Sequence, residues 1–163
     1  MKLDARDIQI LILLQEDARL KTAELASRIN LSITPTWQRV KRLEKAGFIT
    51  GYHARIDLLR LPSKVVEIFV PISLDDHRAH AFHKFEKVIS ELPEVASCHA
   101  VAGGFDYVVR FMVRDIAHYQ RTMDKLLEMQ VGIKEYYTYV VTKGVKSEHI
   151  YSASVLATVA GDP

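Results

Sequence analysis

The stretch NLSITPTWQRVKRLEKAG, Asn30–Gly47, decides how the rest of the chain is read. Ser32 and Thr34 each carry a side-chain oxygen that can accept a free backbone N–H at a helix start. Pro35 disfavours helical angles in the residue before it and suits a first helical turn. That argues for Thr34 as the cap, with Ser32 as the alternative. Beyond it Trp37, Val40 and Leu43 recur at spacings of three, which predicts one apolar stripe packed into a core. Gln38, Arg39, Lys41, Arg42 and Lys45 cover the remaining surface, Glu44 is the one acid, and Gly47 can close the helix in a left-handed turn. Such a helix could lie in a DNA major groove, although a solvated basic helix has the same composition.

The flanks favour the first reading. Asp4 opens a helix that runs toward Asp17 and carries Ile8, Leu11, Ile12, Leu14 and Gln15, with Asp7 in the first turn, where the helix dipole favours an acid. Thr22 can cap a short helix over Ala23–Ile29 whose inner face is Leu25, Ala26 and Ile29, and Asn30 tolerates the left-handed conformation that ends it. Two helices and a tight turn, the second helix basic, make a helix-turn-helix. Phe48–Asp57 then alternates as a short strand, a bend at Gly51 and a second strand, the hairpin or wing of the winged variety. Leu58–Ser63, interrupted by Pro62, reads as a linker.

From Lys64 onward strands and helices alternate. Strands are predicted over Val65–Leu74, Val95–Ala102, Tyr107–Val113 and Ile133–Thr142, and helices over Asp75–Leu92 and Asp115–Gln130. On the second helix Ile116, Tyr119, Met123, Leu126 and Leu127 should face inward. The order βαββαβ is ferredoxin-like. Both helices on one face leave the other bare, lined by residues such as Val70, Ile72 and Tyr139, so a second subunit should cover it. The fold class is therefore α+β. Residues 1–52 form a winged helix-turn-helix, 53–63 a linker, 64–146 a ferredoxin-like domain and 147–163 a tail.

Composition sets the outer bounds. The 163 residues are 48% hydrophobic and 26% charged, as in ordinary folded proteins. There is no run of eighteen apolar residues and no signal-peptide layout, and the single cysteine, Cys98, leaves no internal disulfide. Together these point to the cytoplasm and away from a membrane. The net charge of +2 conceals an asymmetry: residues 1–60 hold eleven Lys and Arg against seven Asp and Glu, and the remainder eleven against thirteen. Nucleic acid should therefore touch the first part.

Several runs resemble one family. L-D-x-x-D-x-x-I-L-x-x-L-Q-x-D-x-R (Leu3–Arg19) and L-A-x-R-x-N-L-S-x-T-P-x-x-x-R-V-K-R-L-E-x-x-G-x-I-x-G-Y (Leu25–Tyr52) are similar to the DNA-binding half of the Lrp/AsnC regulators. L-P-E-V-x-x-C-H-x-V-x-G-x-F-D-Y (Leu92–Tyr107) and Y-x-x-T-M (Tyr119–Met123) resemble that family's ACT-like effector domain, the RAM domain. The resemblance implies a transcriptional regulator whose homodimers bind pseudo-palindromic double-stranded DNA and assemble further, often as octamers. It also implies a small effector, usually an amino acid, held between effector domains beside Ala102, Gly103, Gly104, Asp106, Tyr107 and Thr138. Many members carry Ser or Thr where Ala102 stands and Asp or Glu where Gly104 stands, so one charged contact to an ammonium group is missing here. Thr36 and Trp37 likewise replace the Cys and Leu that many members show.

Within the recognition helix, Arg39 and Arg42 are the candidate base readers, because a guanidinium bonds guanine edges bidentately. Thr34, Gln38 and Lys41 come next, with Ser32 and Pro35 at the helix start. Lys45 and Arg55 are expected on phosphates. Arg39 has an alternative role, bracing the fold against an acid such as Glu24 or Asp17. Gly103-Gly104 could also be a plain strand-joining turn. His77, His80 and His83 with Asp75 and Asp76 read as a solvated helix face in preference to a metal site. Cys98 and His99, adjacent in a strand, point to opposite faces and so cannot form a nucleophile pair. Tyr136, Tyr137 and Tyr139 suggest packing or an interface. No catalytic set, metal or cofactor is expected. The rival readings are an effector-independent architectural DNA binder and, more remotely, a small enzyme on a ferredoxin-like domain.

Overall fold

The computed structural model describes residues 2–54, 56, 60, 62 and 65–146. The chain divides into two compact units at Arg55/Ile56. Arg55, most of the linker and the tail at 147–163 lie outside the described residues.

In the first unit α1 spans Ala5–Glu16 and starts as the sequence predicts. Asp4 is its N-cap, and the caps are reciprocal: the Asp7 N–H donates to Asp4 at 2.9 Å and the Asp4 N–H to Asp7 at 3.1 Å. The second helix, α2, covers Thr22–Arg28 with Lys21 at its N-cap, so Thr22 lies inside the helix and caps nothing. Asn30 takes the left-handed conformation expected of it, with φ 53°. Helix α3 covers Ile33–Lys45 with Ser32, and not Thr34, at its N-cap. The Ser32 carbonyl already accepts from the Thr36 N–H and hydroxyl, at 3.3 and 2.9 Å. Thr34 and Pro35 thus sit in the first turn, where a missing N–H has no helical acceptor to lose. At the other end Gly47, φ 77°, lets the Phe48 N–H reach the Leu43 carbonyl and its own N–H reach Glu44.

The three helices close on Ile10, Leu25, Ile29 and Leu43, with Leu14, Val40 and Ile49 packed against them. Two expectations change. Ile10, fully buried, is the centre of α1 where the sequence pointed to Ile8, and Trp37 is 51% exposed where a core stripe was expected. The buried side of α3 is Thr36, Val40 and Leu43, which turns Trp37 away by about 100° from Thr36. After α3 the described residues 48–54 form no strand, so the first wing strand is absent, and Asp57 of the second lies outside the described residues. A two-stranded hairpin with no third strand is marginal in water, and here Ile49 is drawn into the helical core instead.

The second unit runs β1 (Val66–Leu74), α4 (Ala79–Glu91), β2 (Val95–Ala100), β3 (Tyr107–Val113), α5 (Ile116–Glu128), β4 (Ile133–Tyr136) and β5 (Tyr139–Val140). The antiparallel sheet has the order β2-β3-β1-β4, with β5 also on β1, which is the ferredoxin-like arrangement. Helix α4 starts four residues later than expected, because the Asp76 carboxylate accepts the Arg78 N–H and holds the preceding turn. Ile68, Val70, Ile72, Phe85, Val109, Phe111, Met123 and Leu126 form the core. Val70 and Ile72 therefore line the helix-covered face, not the bare one. The pleat instead turns Glu67, Phe69 and Pro71 outward with Val108, Arg110, Met112 and Tyr139. Ile116 and Leu127 also stay exposed.

The single last strand expected over Ile133–Thr142 is broken at Tyr137 and Thr138. Ile72 pairs with Tyr136 and Phe69 with Tyr139, so the register sets Pro71 opposite Tyr137. The Tyr137 N–H donates to the Pro71 carbonyl at 3.1 Å, but proline has no N–H to return, and the ladder lapses there.

Phe85 is fully buried against Tyr107, with ring centroids 4.7 Å apart. Phe85→Ala should therefore cost about 3–5 kcal/mol of stability, measured by urea unfolding. Ile116→Ala, at an exposed position, should stay within about 0.5 kcal/mol.

Candidate DNA interface and effector cleft

Thr34, Gln38, Lys41 and Lys45 recur at i, i+4, i+7 and i+11 on α3 and are all exposed, forming the row opposite the buried side. Ser32 is exposed at the helix start, and Pro35 is half-buried beside it. Lys41 reaches Glu44 at 2.7 Å, and Glu44 also accepts from the Tyr52 hydroxyl at 2.9 Å. Lys41, then Tyr52, hold the Glu44 carboxyl below its ordinary range. Burial and the Glu44 charge push the Tyr52 phenol up to about 12. Tyr52 thus pins the segment after α3 to the helix while it is neutral.

Arg39 and Arg42 are placed differently from what their chemistry suggested. Arg39 Nη1 donates to Asp4 at 2.6 Å and to Asp7 at 2.8 Å. Arg42 Nη2 donates to both oxygens of Asp7, at 2.8 and 2.7 Å. Asp7 is fully buried. Both arginines therefore brace α3 against α1, and the bracing acids are Asp4 and Asp7 where Glu24 or Asp17 was the alternative considered. Each arginine engages through one nitrogen, but Arg42 keeps 48% of its side-chain surface exposed and is less enclosed than Arg39 at 26%. Asp7 is the residue that the sequence reading missed in this role. The visible signal was D-x-x-D at a helix start and R-x-x-R on the helix that follows the turn.

Burial pushes the Asp4 carboxyl up, but the Asp7 N–H and the Arg39 guanidinium outweigh it and leave it below the ordinary carboxylate range. Arg39 in turn is raised, by Asp4 first and then Asp7.

The six expected effector residues lie on two segments, the turn between β2 and β3 with the start of β3, and the break between β4 and β5. Ala102, Gly103 and Gly104 form an exposed turn between β2 and β3, and a side chain at Gly104 would meet nothing within 4 Å. Asp106 is a structural lock: it accepts the Leu74 N–H at 2.7 Å and faces His77. Tyr107 is buried and donates to Glu86 at 2.8 Å, its phenol pushed up by burial and then by Glu86. Thr138 lines a cleft. Its hydroxyl lies 2.7 Å from that of Tyr119, at a cleft of about 510 Å³ between α5 and the broken edge of the sheet. Ile116, Met123 and Val140 supply apolar walls, and Gln120 and Asp124 polar ones. That volume is within the range of small-ligand sites. Asp124 did not stand out in the sequence, since one acid on an exposed helix face has no distinguishing pattern.

The remaining polar clusters have local partners. His77, which precedes α4, faces Asp106 at 3.1 Å, His80 faces Asp76 at 3.4 Å and His83 faces Glu86 at 3.6 Å. Cys98 packs toward the helices, where burial and the Glu86 charge push its thiol up to about 11. His99, one register position on, lies on the opposite face. No helix among the described residues is long and apolar enough to cross a membrane.

Comparison with known proteins assigns a family domain to each part of the chain. A family model described as winged helix-turn-helix DNA-binding matches residues 3–50, and one described as the Lrp/AsnC ligand binding domain matches residues 67–151. The transcriptional regulatory protein DoeX of Halomonas elongata is 47% identical over 146 residues, 90% of this chain and 92% of its own. The leucine-responsive regulatory protein of Escherichia coli is 37% identical over 147 residues, 90% and 89%. Among solved structures, an AsnC family transcriptional regulator from Agrobacterium tumefaciens superposes with a TM-score of 0.85 at 31% identity, covering 94% of this chain and 99% of that one. A Neisseria meningitidis transcriptional regulator in complex with L-Met gives 0.83 at 29%, with the same coverage.

The Asp7 clamp makes two predictions. Asp7→Asn keeps the backbone cap but removes the charge, and should destabilise the first unit by about 1–3 kcal/mol in denaturant unfolding. Asp4 has a lowered folded value, so its ion pair contributes fully above the ordinary 3.8 and is lost as the pH falls through the lowered value. Asp4→Asn, which still caps, should flatten the acid limb of stability against pH below about 4 and leave the profile near neutrality unchanged in shape.

Proposed function

The chain belongs to the Lrp/AsnC family of transcriptional regulators, with a DNA-binding helix-turn-helix and a ligand-binding domain; we propose that it reads operator DNA through the outward row of α3 and releases or rearranges on it when an amino acid occupies the α5 cleft. The observation that carries the reading is the exposed row Thr34, Gln38, Lys41 and Lys45, held outward because Arg39 and Arg42 are bound to Asp7. Gln38 and Lys41 address base edges, Thr34 and Ser32 the neighbouring backbone, and Lys45 and Arg55 phosphates. Arg39 positions the helix, and Arg42 adds its outward nitrogens to the contact.

The effector reading rests on the cleft. Asp124 would pair with an ammonium group, Thr138 and Gln120 would hydrogen-bond a carboxylate, and Met123, Ile116 and Val140 would take an apolar side chain. The L-Met complex of the Neisseria relative supports an amino acid as the class. We place the Ala102–Asp106 turn of a neighbouring copy at the mouth of this cleft, so that Asp124 supplies the acid that Gly104 lacks. Dimers would form through the open sheet face, where Phe69, Val108, Met112 and Tyr139 surround the Glu67–Arg110 pair, and would assemble further, up to an octamer. The ligand prefers one arrangement of dimers and shifts the population toward it.

An operator selected from random duplexes tests the DNA contacts. Gln38→Ala and Lys41→Ala should each weaken it by about 1–3 kcal/mol with an unchanged melting temperature. Arg39→Ala should lower affinity and melting temperature together. An amino-acid panel read by thermal shift and by mass in solution tests the cleft. Asp124→Asn should abolish the response to the active amino acid without altering the operator affinity of the ligand-free protein. If no amino acid changes stability, assembly or operator binding, the effector reading fails and uniform footprints would point to an architectural role.

A further inference from the structure

Ile33 and Trp37 are 56% and 51% exposed, one helical turn apart on α3, and are the large apolar side chains of that helix that the core does not take up. They flank the row Thr34, Gln38 and Lys41 on the side away from Arg42. A tryptophan left in water beside a cationic row costs solvation and contributes little packing to the unit that carries it. Lys41 and Lys45 along the adjoining row fit an anionic partner, and an anionic apolar protein surface would have to match a convex helix. Duplex DNA meets both requirements at once: its phosphates answer the cations, and the one apolar group exposed in its major groove is the thymine 5-methyl. The first turns of a recognition helix are also the part that reaches base edges.

We propose that Ile33 and Trp37 form a thymine-reading edge, packing against the 5-methyl groups of thymines in each half-site while Gln38 and Lys41 address polar base edges. The inference rests on the DNA-binding role of α3 and adds a sequence preference to it. Thymines should recur in the half-site at the positions covered by the first two turns of the helix.

The test uses the full chain and an operator selected by it from a pool of random duplexes. Each thymine is replaced in turn by deoxyuridine, which removes the methyl and nothing else. Wild-type affinity should fall about fourfold at one or two positions per half-site, the fold-change that burying one methyl-sized group corresponds to. Trp37→Ala should bind the thymine operator more weakly and become indifferent to deoxyuridine at its position, whereas Trp37→Leu should retain part of the sensitivity. Circular dichroism of each variant shows whether the helices remain intact. A wild type that tolerates every deoxyuridine, or a Trp37→Ala variant as methyl-sensitive as wild type, overturns the proposal. So does a Trp37→Ala variant that changes mass in solution with unaltered methyl sensitivity, since the patch would then join copies of the chain. Gln38→Ala distinguishes the two levels: if it abolishes operator preference while the deoxyuridine scan is silent, α3 reads DNA without this edge.

Discussion

The first unit depends on one carboxylate. Asp7 is taken wholly out of water, a position that destabilises a charged group unless its oxygens are fully bonded. They are: the Asp4 N–H, Arg39 and Arg42 all donate to it. Because two arginines three residues apart on α3 converge on a single buried point of α1, the rotation of α3 about its own axis is set. Thr36, Val40 and Leu43 go inward, and Thr34, Gln38, Lys41 and Lys45 go outward as a consequence. The outward row is the complement of an ion pair. The same carboxylate closes the reciprocal cap of α1, so helix start and helix orientation are secured by one group.

In the second unit the comparable constraint is a missing donor. Pro71 lies in β1, the strand that pairs with β3 on one side and with β4 and β5 on the other. Without an N–H to offer Tyr137, the edge strand lapses for two residues, and Thr138 is turned to the Tyr119 hydroxyl at the rim of the cleft. The alternation of the pleat then separates two tasks. Val70, Ile72 and Val109 build the core under the helices, and Phe69, Val108 and Met112 are left on the open face. Proteins rarely leave an apolar sheet face to water.

The Gly103–Gly104 turn and the residues after it have different surroundings. Asp106 and Tyr107, which follow it, are used up internally, by the Leu74 N–H and by Glu86. The turn itself projects freely, with room for a side chain that this sequence does not carry. The one acid among the residues lining the cleft is Asp124, on a different element.

What the sequence determined by itself is what depends on local rules. Periodicity placed the five helices and the strands β1 to β3, Asn30 and Gly47 marked the turns around α3, Pro93 stopped α4, and the βαββαβ order gave the ferredoxin-like sheet. These are one-dimensional signals, since a period, a cap or a left-handed turn is decided by residues a few positions apart. What only the tertiary structure decided is which side of each element meets which neighbour. Trp37 and Thr36 differ by one position, so no spacing rule separates a stripe built on one from a stripe built on the other. The choice was made by Asp7, thirty residues upstream in α1. Val70 and Phe69 alternate in the same way, and only the position of the helices says which of them is inside. Arg39 and Arg42 carry the charge and geometry of base readers, and an isolated strand of sequence has no means of showing that a buried carboxylate has already engaged them.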